Sequence, residues 1–244
     1  MASYETFAKI YDEVMDENLY LDWLEFTCRH LDKKQQNLLE LACGTGILSV
    51  ELANLGFNVT GLDLSEDMIT LAKKRITEGD EGLSFQTGDM LKLTEKNSYD
   101  AVTCYSDSIC YMSDEKAVGQ VFSGVYDALN EKGTFIFDVH SIYQMEESFA
   151  EYSYHYQSDE FAFLWESYPG DYDHSVEHFL TFFVSDKKGK FERFDELHEE
   201  RTYEIVTYEK LLKEAGFTSV SVYADFEDAA PTEESNRWFF VCEK

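Results

Sequence analysis

The chain has 244 residues, with 20 Lys and Arg against 49 Asp and Glu and a formal charge of −29. Such a surface repels polyanions, which argues against stable nucleic-acid binding. No run approaches the length of a membrane-spanning helix, and the acidic N-terminus lacks the basic start and apolar core of a secretory signal. Hydrophobic residues make up 44%, enough to bury a real core in one large or two small domains. Five scattered cysteines with no CxxC pair read as reduced thiols in a cytoplasmic protein with no metal site.

In chain order, the first half alternates strand-like and helix-like stretches. "NLLELAC" (37–43) is a short apolar run ending in small residues. "GILSVELANLG" (46–56) has helical spacing and stops at Gly56. "FNVTGLDL" (57–64) reads as a strand, and Ser65 then stands at the N-cap of "EDMITLAKKRIT". "LSFQTGD" (83–89) and "YDAVTCYS" (99–106) are further strands, and 114–133 is a helix closing at Gly133. "TFIFDVH" (134–140) is the fifth strand. Strands joined by helical crossovers predict a doubly wound, parallel α/β sheet.

The pattern changes after the fifth strand. Between 152 and 203 no helix is legible, and three long, aromatic-rich runs are separated by the turn signals "PGDYD" and "DKKGK". This predicts an antiparallel β layer inserted at 141–206. A helix ending at Gly216 and two strands then complete the main sheet, giving seven strands with the last antiparallel. The expected organisation is one unit over 1–244, with 1–35 as an N-terminal helical cap. The insert is open to three readings: a lid over an acceptor pocket, a homodimer face, or a layer that buries only itself.

Gly44 and Gly46 follow a strand and open a helix. Glycine there lets the backbone turn sharply and approach a ligand. A dinucleotide fingerprint asks for G-x-G-x-x-G/A, and the last position here is Ser49. Asp63 ends the second strand, where a carboxylate can accept from both hydroxyls of a ribose. Asp89 and Met90 follow the third strand, where an attached adenine would lie.

The segment from Glu40 to Gly46, Asp63, "GDM" (88–90) and "YDAVTCYSDSICYM" (99–112) resemble the successive motifs of class I S-adenosylmethionine-dependent methyltransferases. The resemblance spans 38–139 and, in outline, 203–244. "YETFAKIYDEVM" (4–15) and "FDVHS" (137–141) resemble a bacterial branch related to small-molecule N-methyltransferases, including amino-sugar and glycine/sarcosine enzymes. The resemblance implies S-adenosyl-L-methionine as cofactor. It implies that Glu40 and the backbone of Leu41, Ala42, Gly44 and Gly46 line the methionine part. Asp63 would hold the ribose, Leu64 would lie against the adenine, and Asp89 with Met90 would read its edge. Met68 is counted in the same site. The Tyr105 carbonyl would take the methionine amino group, and Tyr11 would close over the cofactor.

The N/D-P-P-Y/F motif usual for methylation of nucleobase amines is absent; the place reads "YSDS" (105–108). The expected reaction is therefore methyl transfer to nitrogen or oxygen of a small-molecule acceptor, with no nucleic-acid or membrane partner. An S-adenosylmethionine-binding module without catalysis and an NAD-dependent oxidoreductase are the rivals. His140, at the end of the fifth strand, is the candidate base, and Tyr105 the second candidate catalytic residue. Ser106, Asp107, Tyr111, His198 and Arg201 are candidates to face the substrate.

Overall fold

The computed structural model describes Asp12 and residues 17–32, 34–185 and 189–244. Tyr11 lies outside the described residues, as does most of the N-terminal opening. The helices are α1 (Glu17–His30), α2 (Ile47–Asn54), α3 (Glu66–Lys74), α4 (Glu115–Ala128) and α5 (Ile205–Ala215). The strands of the main sheet are β1 (Asn37–Leu41), β2 (Asn58–Asp63), β3 (Leu83–Thr87), β4 (Tyr99–Cys104), β5 (Leu129–His140), β10 (Ser219–Ala224) and β11 (Arg237–Glu243). The insert holds β6 (Ser153–Gln157), β7 (Phe161–Pro169), β8 (Ser175–Ser185) and β9 (Phe191–Arg201).

The main sheet has the order β10-β11-β5-β4-β1-β2-β3. All neighbours pair in parallel except β11, which runs antiparallel to both β5 and β10. Strand order reverses at β1 and β4, so the crevice at their carboxyl ends is where a ligand is expected. The two faces of the sheet build separate cores. Along β1, Leu39 and Leu41 join the face covered by α4 and α5, whereas Leu38 joins the face covered by α1 and α2. That is the period-two alternation of a strand buried on both sides.

Local signals explain the helix ends. Ser65 accepts from the Met68 amide at 3.2 Å, acids fill the first turn of α3, and Lys73 and Lys74 fill its last. Gly216 closes α5 in the left-handed region at φ 118°. Helix α1 puts Leu19, Trp23, Phe26 and His30 on one stripe. Trp23 and Phe26 are fully buried, and each such burial stabilises by about 1.5–3 kcal/mol.

Two expectations need correction. Helix α4 ends at Ala128 rather than Gly133. The Asp127 and Ala128 carbonyls accept from Asn97 and Ser98, Leu129 enters the sheet opposite Tyr99, and Lys132 makes the turn at φ 66°. The insert has four strands, not three, in the order β6-β7-β8-β9, all antiparallel. Strand β6 is exposed at every position, so it lacks the alternation that would reveal it. Among the described residues no helix is long and apolar enough to cross a membrane.

Candidate active site

The glycine loop is built on an unusual backbone. Ala42, Gly44 and Gly46 all have positive φ, at 52°, 55° and 80°. The two glycines differ in purpose. A Cβ on Gly46 would lie 2.6 Å from the Phe85 ring and 3.0 Å from the Ala72 Cβ, so Gly46 lets helix, strand and loop close together. A Cβ on Gly44 would meet nothing within 4 Å. Gly44 therefore leaves its side of the loop clear for a ligand.

Asp63 faces this opening. Its Oδ2 accepts from the Gly44 amide and its Oδ1 from the Ser65 amide, both at 2.8 Å. Each oxygen keeps a further lone pair for a diol. Burial raises its pKa, opposed by the amides of Ser65, Gly44 and Leu64. Glu40 lies beneath, buried, and takes the Ser49 hydroxyl. Burial pushes Glu40 up to about 8, with Ser49 opposing and the Asp63 charge adding. Ser49, the departure from a dinucleotide fingerprint, thus serves to hold the acid under the loop.

Leu64, beside Asp63, is 72% exposed, an apolar surface of the kind a planar ring covers. Asp89 caps the turn 90–92: Oδ1 accepts from the Leu91 amide at 2.9 Å and Oδ2 from Lys92 Nζ at 2.8 Å. The Lys92 contact lowers its pKa. Met90 packs at the margin of the core. Met68 is not on an open ligand face; it is buried with Phe161, Phe163 and Phe182 of the insert. Asp12 accepts from Thr45 Oγ1 at 2.6 Å and pairs with Arg75, which fixes this side chain against the loop. The donors, the diol acceptor and the clear side of Gly44 suit an adenosyl cofactor.

Tyr105 contradicts the catalytic expectation. Its ring is buried, stacked on Trp23 with centroids 6.0 Å apart, and its hydroxyl meets Thr27 Oγ1 at 2.6 Å. Thr27 already donates to the Trp23 carbonyl, so Tyr105 is the donor. The Tyr105 carbonyl accepts from the Ser108 hydroxyl at 2.7 Å and the Ser108 amide at 3.4 Å. The hydroxyl is thus committed to Thr27 inside the core, away from the cavity.

Beyond β4 the chain turns through Ser106 and Asp107, both at positive φ. The register places Arg237 of β11 opposite His140 of β5. Arg237 takes both oxygens of Asp107 and also reaches Asp138, which accepts from Trp23 Nε1 at 2.8 Å and the Asp107 amide at 3.1 Å. Burial raises both acids and Arg237 opposes it, Asp138 reaching about 6. His140 Nε2 stands 3.1 Å from Asp107 Oδ2. Burial, then the Arg237 charge, hold His140 well below its ordinary value, so the ring is neutral.

Trp23, Ser106, Asp107, His140 and Arg237 floor a cavity of about 530 Å³, with Asp138 buried behind them and the inner face of the insert as roof. Tyr152, Tyr154, Phe163, Trp165 and Phe182 give it aromatic walls, and His178, His198, Glu200 and Tyr111 supply polar groups. Arg201 is not among them: it donates to the Asp173 carbonyl and lies over Tyr172 and Tyr203. Reading the sequence missed Glu200, His178, Asp138 and Arg237 as site residues. The one usable signal was the inward period-two row His198–Glu200 on a predicted strand. A second cavity, of about 760 Å³, opens near Lys34, Asp100 and Lys132 at the opposite edge of the sheet, away from these groups.

Residues 38–133 match the family described as "Methyltransferase domain". A protein of Geobacillus sp. (strain WCH70) bearing the name "Putative methyltransferase" is 43% identical over 246 residues, covering 99% of this chain and 100% of that protein. The crystal structure of an S-adenosylmethionine-dependent methyltransferase from Clostridium acetobutylicum superposes with a TM-score of 0.83 at 29% identity, covering 98% of each chain. The fold also matches S-adenosylmethionine-bound CalS10, an amino pentose methyltransferase from Micromonospora echinaspora, with a TM-score of 0.74 at 18% identity and 98% and 96% coverage. These matches set aside the oxidoreductase and non-catalytic readings: the chain belongs to the class I S-adenosylmethionine-dependent methyltransferases, and S-adenosyl-L-methionine is its cofactor.

Proposed function

We propose that the chain methylates a small molecule held in the cavity between the carboxyl edge of the main sheet and the inserted sheet. The observation that carries this is the cavity itself, about 530 Å³ and walled by rings, which is the scale of a small-molecule site. The cofactor supplies a methyl group activated on a sulfonium. In this reading Leu41, Ala42, Gly44 and Gly46 present their backbone to its methionine part, above Glu40. Asp63 takes the ribose hydroxyls, Leu64 covers the adenine, and Asp89 with Met90 lines its edge. Met68 acts from beneath the insert by packing.

The chain's contribution to rate is placement. Aromatic walls exclude water and hold the acceptor in one pose, and such positioning lowers a barrier by about 7–11 kcal/mol in the best cases. Asp107, locked by Arg237, orients His140 through Nε2. A carboxylate only accepts, so Nε2 carries the hydrogen and His140 serves at this atom as a positioning group. The insert acts as the roof, which supports the lid reading.

The homodimer reading belongs to the outer face, where Phe179 pairs with Leu197 and both are exposed. Sedimentation of wild type against Phe179→Asp tests it: a dimer lost in the variant supports it, and a monomeric wild type overturns it. The function is tested by labelled methyl transfer from S-adenosyl-L-methionine to a panel of small amines and hydroxy compounds, with protein and nucleic acid as comparison acceptors. Transfer to a small acceptor is expected. Transfer only to macromolecules would overturn the reading.

A further inference from the structure

Glu200 comes from β9, far from the glycine loop in sequence, and is 6% exposed. It faces the cavity with one oxygen unmet: among the described residues Oε2 has no hydrogen-bond partner. Tyr111 supports the carboxylate, and the Tyr111 hydroxyl lies 3.0 Å from His198 Nδ1. His140 Nε2 is 3.7 Å from Oε2 and His178 Nε2 is 3.8 Å from Oε1, both beyond hydrogen-bond reach. A buried carboxylate oxygen left without a donor is costly, and the donor it lacks is one that a ligand can bring.

The neighbouring histidines are ruled out as proton acceptors at the atoms facing Glu200. His178 Nδ1 accepts from Trp165 Nε1 at 3.1 Å, so Nε2 carries the hydrogen. Among the described residues it too has no hydrogen-bond partner. His140 Nε2 stands 3.1 Å from the Asp107 carboxylate, which has no hydrogen to give, so the hydrogen of the neutral ring belongs on Nε2. Among the atoms these three side chains turn to one another, Glu200 Oε2 is then the acceptor without a partner. The edge of Phe149 closes on both histidine rings, at 5.0 and 4.7 Å between centroids, which keeps them in place.

Building on the small-molecule reading above, we propose that Glu200 receives the amino group of the methyl acceptor and takes its proton, so that the substrate is a small amine. An amine brings several N–H donors and, protonated, a charge that rings and a carboxylate both attract. The proton passes from the ammonium nitrogen to Glu200 Oε2. The freed lone pair forms the C–N bond as the methyl group's bond to sulfur breaks and its electron pair stays on sulfur. The methylated ammonium then leaves, and Glu200 releases its proton to water. Burial, then the Asp107 charge, push Glu200 up to about 8, against Tyr111 and Arg237. That brings the carboxyl closer to an amine's range and eases the hand-over. Arg237 is neutralised by Asp107 and Asp138, and His140, His178, His198, Tyr111, Tyr152 and Tyr154 are the other titratable groups lining the pocket.

The test is calorimetry on the full chain saturated with S-adenosylhomocysteine, titrated with benzylammonium and its neutral isostere benzyl alcohol. Benzylammonium is expected to bind at least about tenfold more tightly, with the preference lost in Glu200→Gln and kept in Glu199→Gln, whose side chain is exposed. Melting curves and retained S-adenosylhomocysteine affinity show that the variants fold. In wild type alone, the ammonium affinity should rise at least about tenfold from about pH 6 to about pH 8.5 while the alcohol stays flat. Equal binding of the two probes, a pH-independent ammonium affinity, or a preference that survives Glu200→Gln would each overturn the proposal and leave the methyltransferase reading standing. Failure to bind S-adenosylhomocysteine would instead count against the cofactor site itself.

Discussion

Arg237 grips Asp107 with two guanidinium nitrogens, Nη1 to Oδ1 at 2.7 Å and Nη2 to Oδ2 at 2.9 Å. The pair joins the last strand to the strained turn after β4, and Asp138 shares the same guanidinium. Removing one partner of a buried pair costs about 3–5 kcal/mol, because the other charge is left without compensation. Arg237→Met is therefore expected to lower unfolding stability by about that amount, read from urea transitions. Arg237→Lys should recover part of the stability but not the fork that fixes Asp107, so methyl transfer should stay low. Equal stability of Arg237→Met and wild type would count against a load-sharing role.

Gly44 and Gly46 should separate folding from binding. Gly46→Ala places a Cβ 2.6 Å from the Phe85 ring and asks a non-glycine residue to hold positive φ. Overpacking of this kind costs about 1–3 kcal/mol, and the left-handed backbone about 1–2 more. Gly44→Ala meets open space, so only the backbone term applies. It should lose only that about 1–2 kcal/mol, less than Gly46→Ala, while S-adenosylhomocysteine affinity drops by at least about tenfold, the Cβ filling room the ligand needs. Paired melting curves and calorimetry check both variants.

The sequence makes the main sheet legible because each strand is flanked by punctuation with a physical cause, such as the Ser65 cap and the Gly216 stop. The same holds for Asp63, whose place at a strand end is fixed by local pattern. What stays hidden in the sequence is long-range. Asp107, Asp138 and Arg237 meet across separations of 31, 99 and 130 residues, and no spacing rule joins them. Glu200 reads as one acid among many on an acidic strand, and only its inward position distinguishes it. Tyr105 misleads for a related reason: its strand-end position signals the site, while its ring turns into the core against Trp23 and Thr27.

Glu40 should make stability depend on pH. Its carboxyl sits at about 8 in the folded chain, raised by burial above its ordinary value. Between the unfolded value of about 4.5 and about 8, the native state holds more protons than the unfolded state. This group's contribution is thus full below about 4.5, falls as pH rises, and is lost above about 8. Glu40→Gln removes that loss. Relative to wild type, the variant should gain stability from about pH 5 to about pH 8.5, read from the shift in urea midpoint. A parallel shift of both proteins would mean that Glu40 ionises freely in the fold.

Tyr105→Phe separates the structural role from the catalytic one. The substitution keeps the ring stack on Trp23 and removes the donor to Thr27 Oγ1, one buried hydrogen bond. Such a loss is expected to lower stability by about 0.5–1.5 kcal/mol. Thr27 keeps its own bond to the Trp23 carbonyl, so helix α1 should stay docked and the floor of the cavity unchanged. Turnover should remain within about twofold of wild type, because the hydroxyl does not reach the acceptor; a general acid or base at this position would instead show a loss of about 10²-fold or more. Steady-state methyl transfer and thermal melting on the same preparation decide between them.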